Sequence, residues 1–195
     1  MPDSDCAPTK NVVRADESCL SYIPGSSFYS FREREYVLEA LSDIRYKDGL
    51  LISDGILSQG FLVNLGDIEP GAVTLQSDGM RFLTDYQPAA LSTEALRQYE
   101  EMTRGVSAGR FIYRKSLPVR ENSTYALRVV AYRGRFVQFF RGYPFDLLAG
   151  DARRDLTVVL RVVRKESDGG ITVLWKELAR KQSPKVVYSK KEGGK

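Results

Sequence analysis

Short runs in which apolar and polar residues alternate, separated by turn residues, dominate the chain between residues 26 and 182. A period of two is typical of β-strands, because successive side chains of a strand point to opposite faces of a sheet. Four Asp-Gly pairs provide the positive-φ residues that tight hairpin turns require. They are Asp48-Gly49, Asp54-Gly55, Asp78-Gly79 and Asp168-Gly169. The pattern predicts an antiparallel, mostly β domain.

The clearest predicted hairpin joins segment 156–165 to segment 171–178 through a five-residue loop that contains two glycines. Both strands are apolar on both faces, as is segment 125–133, which predicts central strands of a sheet covered on each side. In the first strand, Val158, Leu160 and Val162 are expected to share one face, and Val159, Arg161 and Val163 the other. In the second strand, Ile171, Val173 and Trp175 are expected to alternate with Thr172, Leu174 and Lys176. Further strands are predicted at 28–37, 44–52, 60–65, 73–75 and 110–114.

One helix is predicted over Ser92–Arg104, with Ser92 or Thr93 as its N-cap and Gly105 at its end. An apolar stripe at nearly helical spacing is expected to pack against the sheet. The stripe contains Leu96, Tyr99, Met102 and Val106.

These elements predict one mostly β domain over residues 26–182, an antiparallel sandwich or partly closed barrel with one packed α-helix. Residues 1–25 mix proline and charge without a period, which predicts an extended or disordered arm. Residues 183–195 are predicted to form a basic C-terminal tail. We find no apolar stretch long enough for a membrane-spanning helix.

The cysteines and the N-terminus bear on the cellular compartment. Cys6 and Cys19 either form a disulfide in an oxidising compartment or are two free thiols in a reducing one, and both alternatives stay open. Their spacing matches no zinc or redox motif. The first 20 residues are too acidic and polar for a secretory signal, so a cytoplasmic location is the default expectation.

The 195-residue chain contains no histidine, which removes the commonest general base and the usual zinc ligand. Its charge is unevenly distributed: residues 1–100 carry 8 Lys and Arg against 16 Asp and Glu, whereas residues 101–195 carry 21 against 9. Either the acidic half packs against the basic half within one fold, or the basic half binds an anionic partner.

Three patterns suggest catalysis or metal binding but lack the required context. Residues 105–109 match the Gly-x-Ser-x-Gly nucleophile elbow, which needs a preceding strand and a histidine. Glu33 and Glu35 lie between arginines, which indicates a solvated, charged strand edge. Asp146, Asp151 and Asp155 surround a bend without calcium-loop spacing. We therefore predict no enzymatic activity, no cofactor and no metal site.

The segment 133–145 interleaves arginine with aromatic residues and is the strongest candidate for binding. Its candidate interface residues are Arg133, Arg135, Phe136, Phe139, Phe140, Arg141, Tyr143 and Phe145. Three interpretations stay open: a buried strand over 136–140, a protein interface, or a surface that stacks nucleic-acid bases and neutralises phosphates.

Segments 124–133, 155–164 and 175–178 together resemble an uncharacterised group of bacterial β-rich proteins. That group has no assigned activity, so the resemblance implies a bacterial origin and a β-rich fold and transfers no catalytic residue.

These observations predict a non-catalytic binding or structural module, an accessory subunit of a larger protein assembly. One alternative is a β-barrel that holds a small apolar molecule. Another is a protein that binds nucleic acid or a different polyanion through its basic C-terminal half.

Overall fold

A computed structural model of the chain describes residues 12–15, 27–167 and 169–188. The described strands are β1 (Val12–Ala15), β2 (Phe28–Ser30), β3 (Glu35–Tyr36), β4 (Ile44–Lys47), β5 (Leu50–Ile52), β6 (Ser58–Gly66), β7 (Val106–Ala108), β8 (Phe111–Tyr113), β9 (Ser116–Pro118), β10 (Ser123–Ala131), β11 (Val137–Phe140), β12 (Tyr143–Asp146), β13 (Arg154–Lys165) and β14 (Ile171–Gln182). The described α-helices are α1 (Arg81–Asp85) and α2 (Ser92–Arg104).

Two five-stranded antiparallel sheets form the body of the protein. The main sheet has the order β1-β14-β13-β10-β6 and the smaller sheet the order β3-β2-β4-β5-β9. Two separate hairpins, β7-β8 and β11-β12, complete the described strands. The predicted antiparallel sandwich is confirmed, and the described strands close no barrel.

The first hydrophobic core lies between the two sheets. In the main sheet, Leu160 is directly opposite Trp175 and Val162 is opposite Val173, and all four are buried. Tyr29, Phe31 and other apolar residues of the smaller sheet and its turns meet them, with the Phe31 and Trp175 rings 4.9 Å apart in an edge-to-face arrangement. The predicted face of Val158, Leu160 and Val162 and the predicted face of Ile171, Val173 and Trp175 therefore both belong to this core.

A second core covers the opposite face of the main sheet. Phe61, Ala126 and Val159 contribute from the strands of the main sheet. Leu83 and Met102 contribute from the helices, Met80 from the turn before α1, and Tyr113 from β8. Every one of these side chains is at most 3% exposed. The prediction of central strands covered on both faces is confirmed.

Three of the predicted strands are wrong. Segment 44–52 is two strands, β4 and β5, which pair antiparallel and are joined by a turn at Asp48-Gly49. Segment 28–37 is a hairpin, because the chain turns between β2 and β3: the Arg34 amide donates to the Ser30 carbonyl at 2.7 Å, and Arg34 has a φ of 62°. Segment 73–75 is a loop after a 3-10 turn at Pro70–Ala72. Val73 is apolar because it anchors that loop in the second core.

Helix α2 has its predicted bounds and ends at Gly105, which has a φ of 100°. Its predicted cap is wrong, because the cap position is Leu91 and the Ser92 amide donates to the Val187 carbonyl. Leu96 is 58% exposed, since the buried side of the helix runs through Met102 instead.

The ends of the chain contribute to the described structure. Val12–Ala15, within the predicted arm, pairs with β14 at the edge of the main sheet. Beyond β14, Ser183 is buried, and its hydroxyl donates to the Ala131 carbonyl. Cys6 and Cys19 lie outside the described residues. No described helix has the length and apolar character needed to cross a membrane.

Candidate functional site

The hairpin β11-β12 contains most of the Arg/aromatic segment. Its two strands are joined by Arg141 and Gly142, whose φ angles of 50° and 84° suit a two-residue hairpin turn. Phe140 pairs with Tyr143 and Phe139 with Pro144. No other described strand or helix makes more than marginal contact with these strands.

Both faces of this hairpin are apolar and exposed. Cross-strand partners share a face, so Phe140, Tyr143 and Phe145 lie on one side, whereas Val137, Phe139 and Pro144 lie on the other. The exposed fraction is 74% for Phe139, 64% for Phe140 and 78% for Tyr143. Exposed aromatic clusters of this kind on a protein surface mark interaction sites.

Cations accompany the aromatic rings. The Arg141 guanidinium lies 5.4 Å from the centre of the Phe140 ring, within the range of a cation–π contact. Together with Tyr143 and Phe145, these two side chains line an open concavity of about 490 Å³. The site therefore combines planar apolar surface with positive charge.

Asp146 fixes the base of the hairpin. Its carboxylate accepts hydrogen bonds from the Phe136 amide at 2.9 Å and the Leu148 amide at 3.1 Å, and Arg135 Nε lies 3.3 Å away. These donors, the Phe136 amide foremost, lower the pKa of Asp146 below its ordinary 3.8. The carboxylate thus links the two ends of the hairpin at its base.

The structure shows where each predicted interface residue lies. Phe136 is half-buried at the base, and Arg133 lies just outside the hairpin, where its Nε donates to the Ser183 carbonyl. The remaining six candidates lie on the hairpin or beside it and are exposed. The interpretation of 136–140 as a buried strand is wrong, because no second layer covers this hairpin among the described residues.

A buried ion-pair cluster joins the segment that follows β12 to the residues around β2 and β4. Arg32 Nε contacts Asp43 Oδ1 at 2.6 Å, and Arg32 Nη1 contacts Asp151 Oδ1 at 2.7 Å. Arg153 Nη1 contacts Asp151 Oδ2 at 2.7 Å, and Arg153 also donates to three backbone carbonyls. Every side chain in the cluster is almost fully buried. Because these charges satisfy one another, the cluster is a structural clamp.

Sequence analysis did not predict this ion-pair cluster. Arg32 was expected at a solvated strand edge but is only 4% exposed, because the turn after β2 aims it at Asp43 and Asp151. Asp155 is likewise engaged, in a buried ion pair with Arg128 at 2.7 Å. Among the described residues, no group of three acidic, cysteine or histidine side chains is placed to hold a metal ion.

The Gly-x-Ser-x-Gly residues form a helix-to-strand connection. Gly105 ends α2, and Ser107 lies exposed in the short strand β7. The strand-then-helix context of a nucleophile elbow is reversed here.

Two further spaces are candidates for a ligand. The cavity between the sheets, lined by Tyr29, Phe31, Leu160 and neighbours, measures about 20 Å³, enough for about one water molecule and far below the size of a small-molecule pocket. An open groove of about 670 Å³ runs between α1 and the β7-β8 hairpin. Its charges are paired, Arg110 with Asp78 and Arg81 with Asp85, so it favours neither sign of ligand.

Comparison with known proteins adds no assignment: no family model matches the chain, and no curated protein or solved structure is similar to it. The resemblance to bacterial β-rich proteins therefore stays a prediction.

Proposed function

We propose that this protein is a non-catalytic binding module, an accessory subunit that docks on a larger protein assembly through the β11-β12 hairpin. The observation that carries the proposal is the exposure of aromatic side chains on both faces of a hairpin that has no covering layer among the described residues. Aromatic residues and arginine are enriched at the energetic centres of protein interfaces. A two-stranded hairpin is also marginally stable alone, so a partner would stabilise it.

The competing proposals find less support. A small apolar ligand would need far more space than the cavity between the sheets provides. Single-stranded nucleic acid is favoured by the Arg141 and Phe140 pair, which could stack a base and neutralise a phosphate. However, bases stack on one face of a platform, whereas this hairpin is apolar on both.

The test is a hairpin variant compared with a matched surface variant. Phe139→Ser combined with Phe140→Ser removes two exposed rings, and Leu96→Ser removes one exposed apolar side chain from α2. Each substitution should change the free energy of unfolding by no more than about 0.5 kcal/mol, because the sites are exposed.

Both proteins are then used to isolate complexes from the native host, with the mass of each complex measured by native mass spectrometry. The proposal expects a defined complex with the wild type and with Leu96→Ser, and a free monomer with the hairpin variant. A complex that survives the hairpin substitutions contradicts the proposal. A complex that contains nucleic acid and whose affinity falls steeply with salt concentration favours the competing function.

A further inference from the structure

Among the described residues, no strand pairs with the outer edge of β11. Antiparallel pairs alternate between residues that bond each other and residues whose backbone groups point outward. The Leu147 amide donates to the Phe136 carbonyl at 2.9 Å, which sets this alternation. Gln138 and Phe140 therefore bond across to β12, while the backbone groups of Val137 and Phe139 point away from it.

The edge of β12 is blocked. Its outward-facing positions are Pro144 and Asp146, the counterparts of Phe139 and Val137. Pro144 has no amide hydrogen to offer, and proline in a strand is a common obstacle to edge pairing. The Asp146 carboxylate accepts a hydrogen bond from the Phe136 amide at the base of the hairpin. An added strand can therefore pair with β11 only.

The charges around β11 define the chemistry of a partner. Arg135 precedes the strand and Arg141 follows it, so an exposed cation stands at each end. The one described acidic contact of Arg135 is Asp146, at 3.3 Å, and Arg141 has no ion pair among the described residues. Opposite charges directly across a strand pair are stabilising. The edge is therefore complementary to an acidic segment.

The same charges argue against a second copy of this chain. In a dimer, β11 of one copy could pair antiparallel with β11 of the other. If the outward backbone groups of both Val137 and Phe139 are paired, Val137 lies opposite Phe139 of the other copy. That register also places Arg135 opposite Arg141 at both ends. Like charges directly opposite each other destabilise a strand pair.

We propose that the free edge of β11 accepts an extended acidic segment of the partner protein as an added strand, an inference that rests on the proposed function. The segment carries two acidic residues about six positions apart, because Arg135 and Arg141 flank the four residues of β11 and are themselves six positions apart. Between them the segment is apolar. Its side chains contact Phe139 on one face and Gln138 and Phe140 on the other, and its backbone pairs with Val137 and Phe139.

The experiment selects nine-residue peptides from a random phage-displayed library on the full-length protein and measures the synthesised peptides by fluorescence anisotropy. We expect enrichment of apolar sequences with acidic residues six apart. A variant with Arg135→Glu and Arg141→Glu should instead select basic residues at those positions. Enrichment of unpatterned, helix-patterned or basic peptides on the wild type, or no enrichment, overturns the proposal.

A matched pair of variants tests the backbone bond. Phe139→Ala and Phe139→Pro both remove the ring, but only proline removes the outward amide hydrogen. Phe139→Pro should bind the selected peptide about tenfold more weakly than Phe139→Ala, since a partner carbonyl is left unpaired. The Phe140 and Tyr143 amide resonances report that the hairpin stays formed. Equal binding by the two variants overturns strand addition.

Failure of this inference and failure of the proposed function give different results. Peptides that lose binding on Phe139→Ser with Phe140→Ser, yet do not distinguish alanine from proline at 139, leave the hairpin as a docking surface without strand addition. Peptides that bind the double variant fully overturn both. Self-association in sedimentation velocity that Phe139→Pro abolishes assigns the edge to a second copy and overturns the acidic partner.

Discussion

Replacement of Asp151 by alanine tests whether the buried clamp holds the fold together. The Asp151 carboxylate accepts one hydrogen bond from Arg32 and one from Arg153, both at 2.7 Å and both out of contact with solvent. A hydrogen bond to a charged group contributes about 1.5–3 kcal/mol. Removing one member of a buried ion pair costs about 3–5 kcal/mol, because the remaining charge is left without a partner. We expect a loss in that range.

The loss should fall mainly on Arg153. Arg32 keeps Asp43 as an ionic partner, whereas Arg153 has no other ion pair among the described residues and keeps backbone carbonyls only. Asp151→Asn retains an acceptor without the charge, so its effect should be smaller than that of Asp151→Ala. This order separates the lost charge from the lost side chain.

Equilibrium unfolding in urea measures the effect. With a slope of about 2 kcal/mol per molar urea, a loss of 3–5 kcal/mol lowers the midpoint by about 1.5–2.5 M. The control is Asp85→Ala, which breaks an exposed i,i+4 pair with Arg81 and should cost at most about 0.5 kcal/mol. An Asp151→Ala loss below about 1 kcal/mol would refute the assignment of the cluster as a clamp.

Three further predictions concern the hairpin and the core. Gly142→Ala should destabilise the hairpin by about 1–2 kcal/mol, measured by amide exchange of Phe140 and Tyr143, because Gly142 has a φ of 84° and a left-handed backbone strains any residue with a Cβ. Since the pKa of Asp146 is lowered, its carboxylate stabilises the hairpin above the unfolded-state pKa, and that contribution disappears as the pH falls through the lower folded-state value. Amide exchange of Phe136 and Leu148 by NMR should accelerate there, and Asp146→Ala should show fast exchange at neutral pH. Burial raises the pKa of Tyr29 to about 12, so folded-state stability should decline as the pH rises from about 10, and Tyr29→Phe should reduce that decline in alkaline unfolding curves.

The main sheet could be predicted because its information is local. The β13 and β14 segments alternate regularly and are joined by a short glycine-containing loop, so pattern and turn agree. The smaller sheet was harder to predict, since its strands are two to four residues long and the turn after β2 is determined by Arg32 reaching inward.

The ion-pair cluster could not be predicted, because Arg32 and Asp151 are 119 positions apart and nothing local distinguishes them from surface charges. The exposure of the hairpin could not be predicted from hydrophobic periodicity either, since an apolar strand has the same sequence pattern whether it is buried or exposed. One signal was available. Arg141-Gly142 lies between two aromatic residues, and Pro144 follows closely, which together indicate an edge hairpin and argue against a central strand.

The points where the chain leaves and rejoins the main sheet lie side by side. The chain leaves the sheet after β10 and returns into β13, and these two strands are adjacent. Arg153 Nε donates a hydrogen bond to the Tyr132 carbonyl at 2.8 Å and so links the two ends of the excursion. The β11-β12 hairpin is therefore an insert whose two ends are held next to each other by the main sheet. Evolution can rewrite residues 137–146 without disturbing the register of the sheet. A protein engineer can likewise replace these residues by a short turn or by a different hairpin, while keeping the hydrogen bond between Arg153 and the Tyr132 carbonyl.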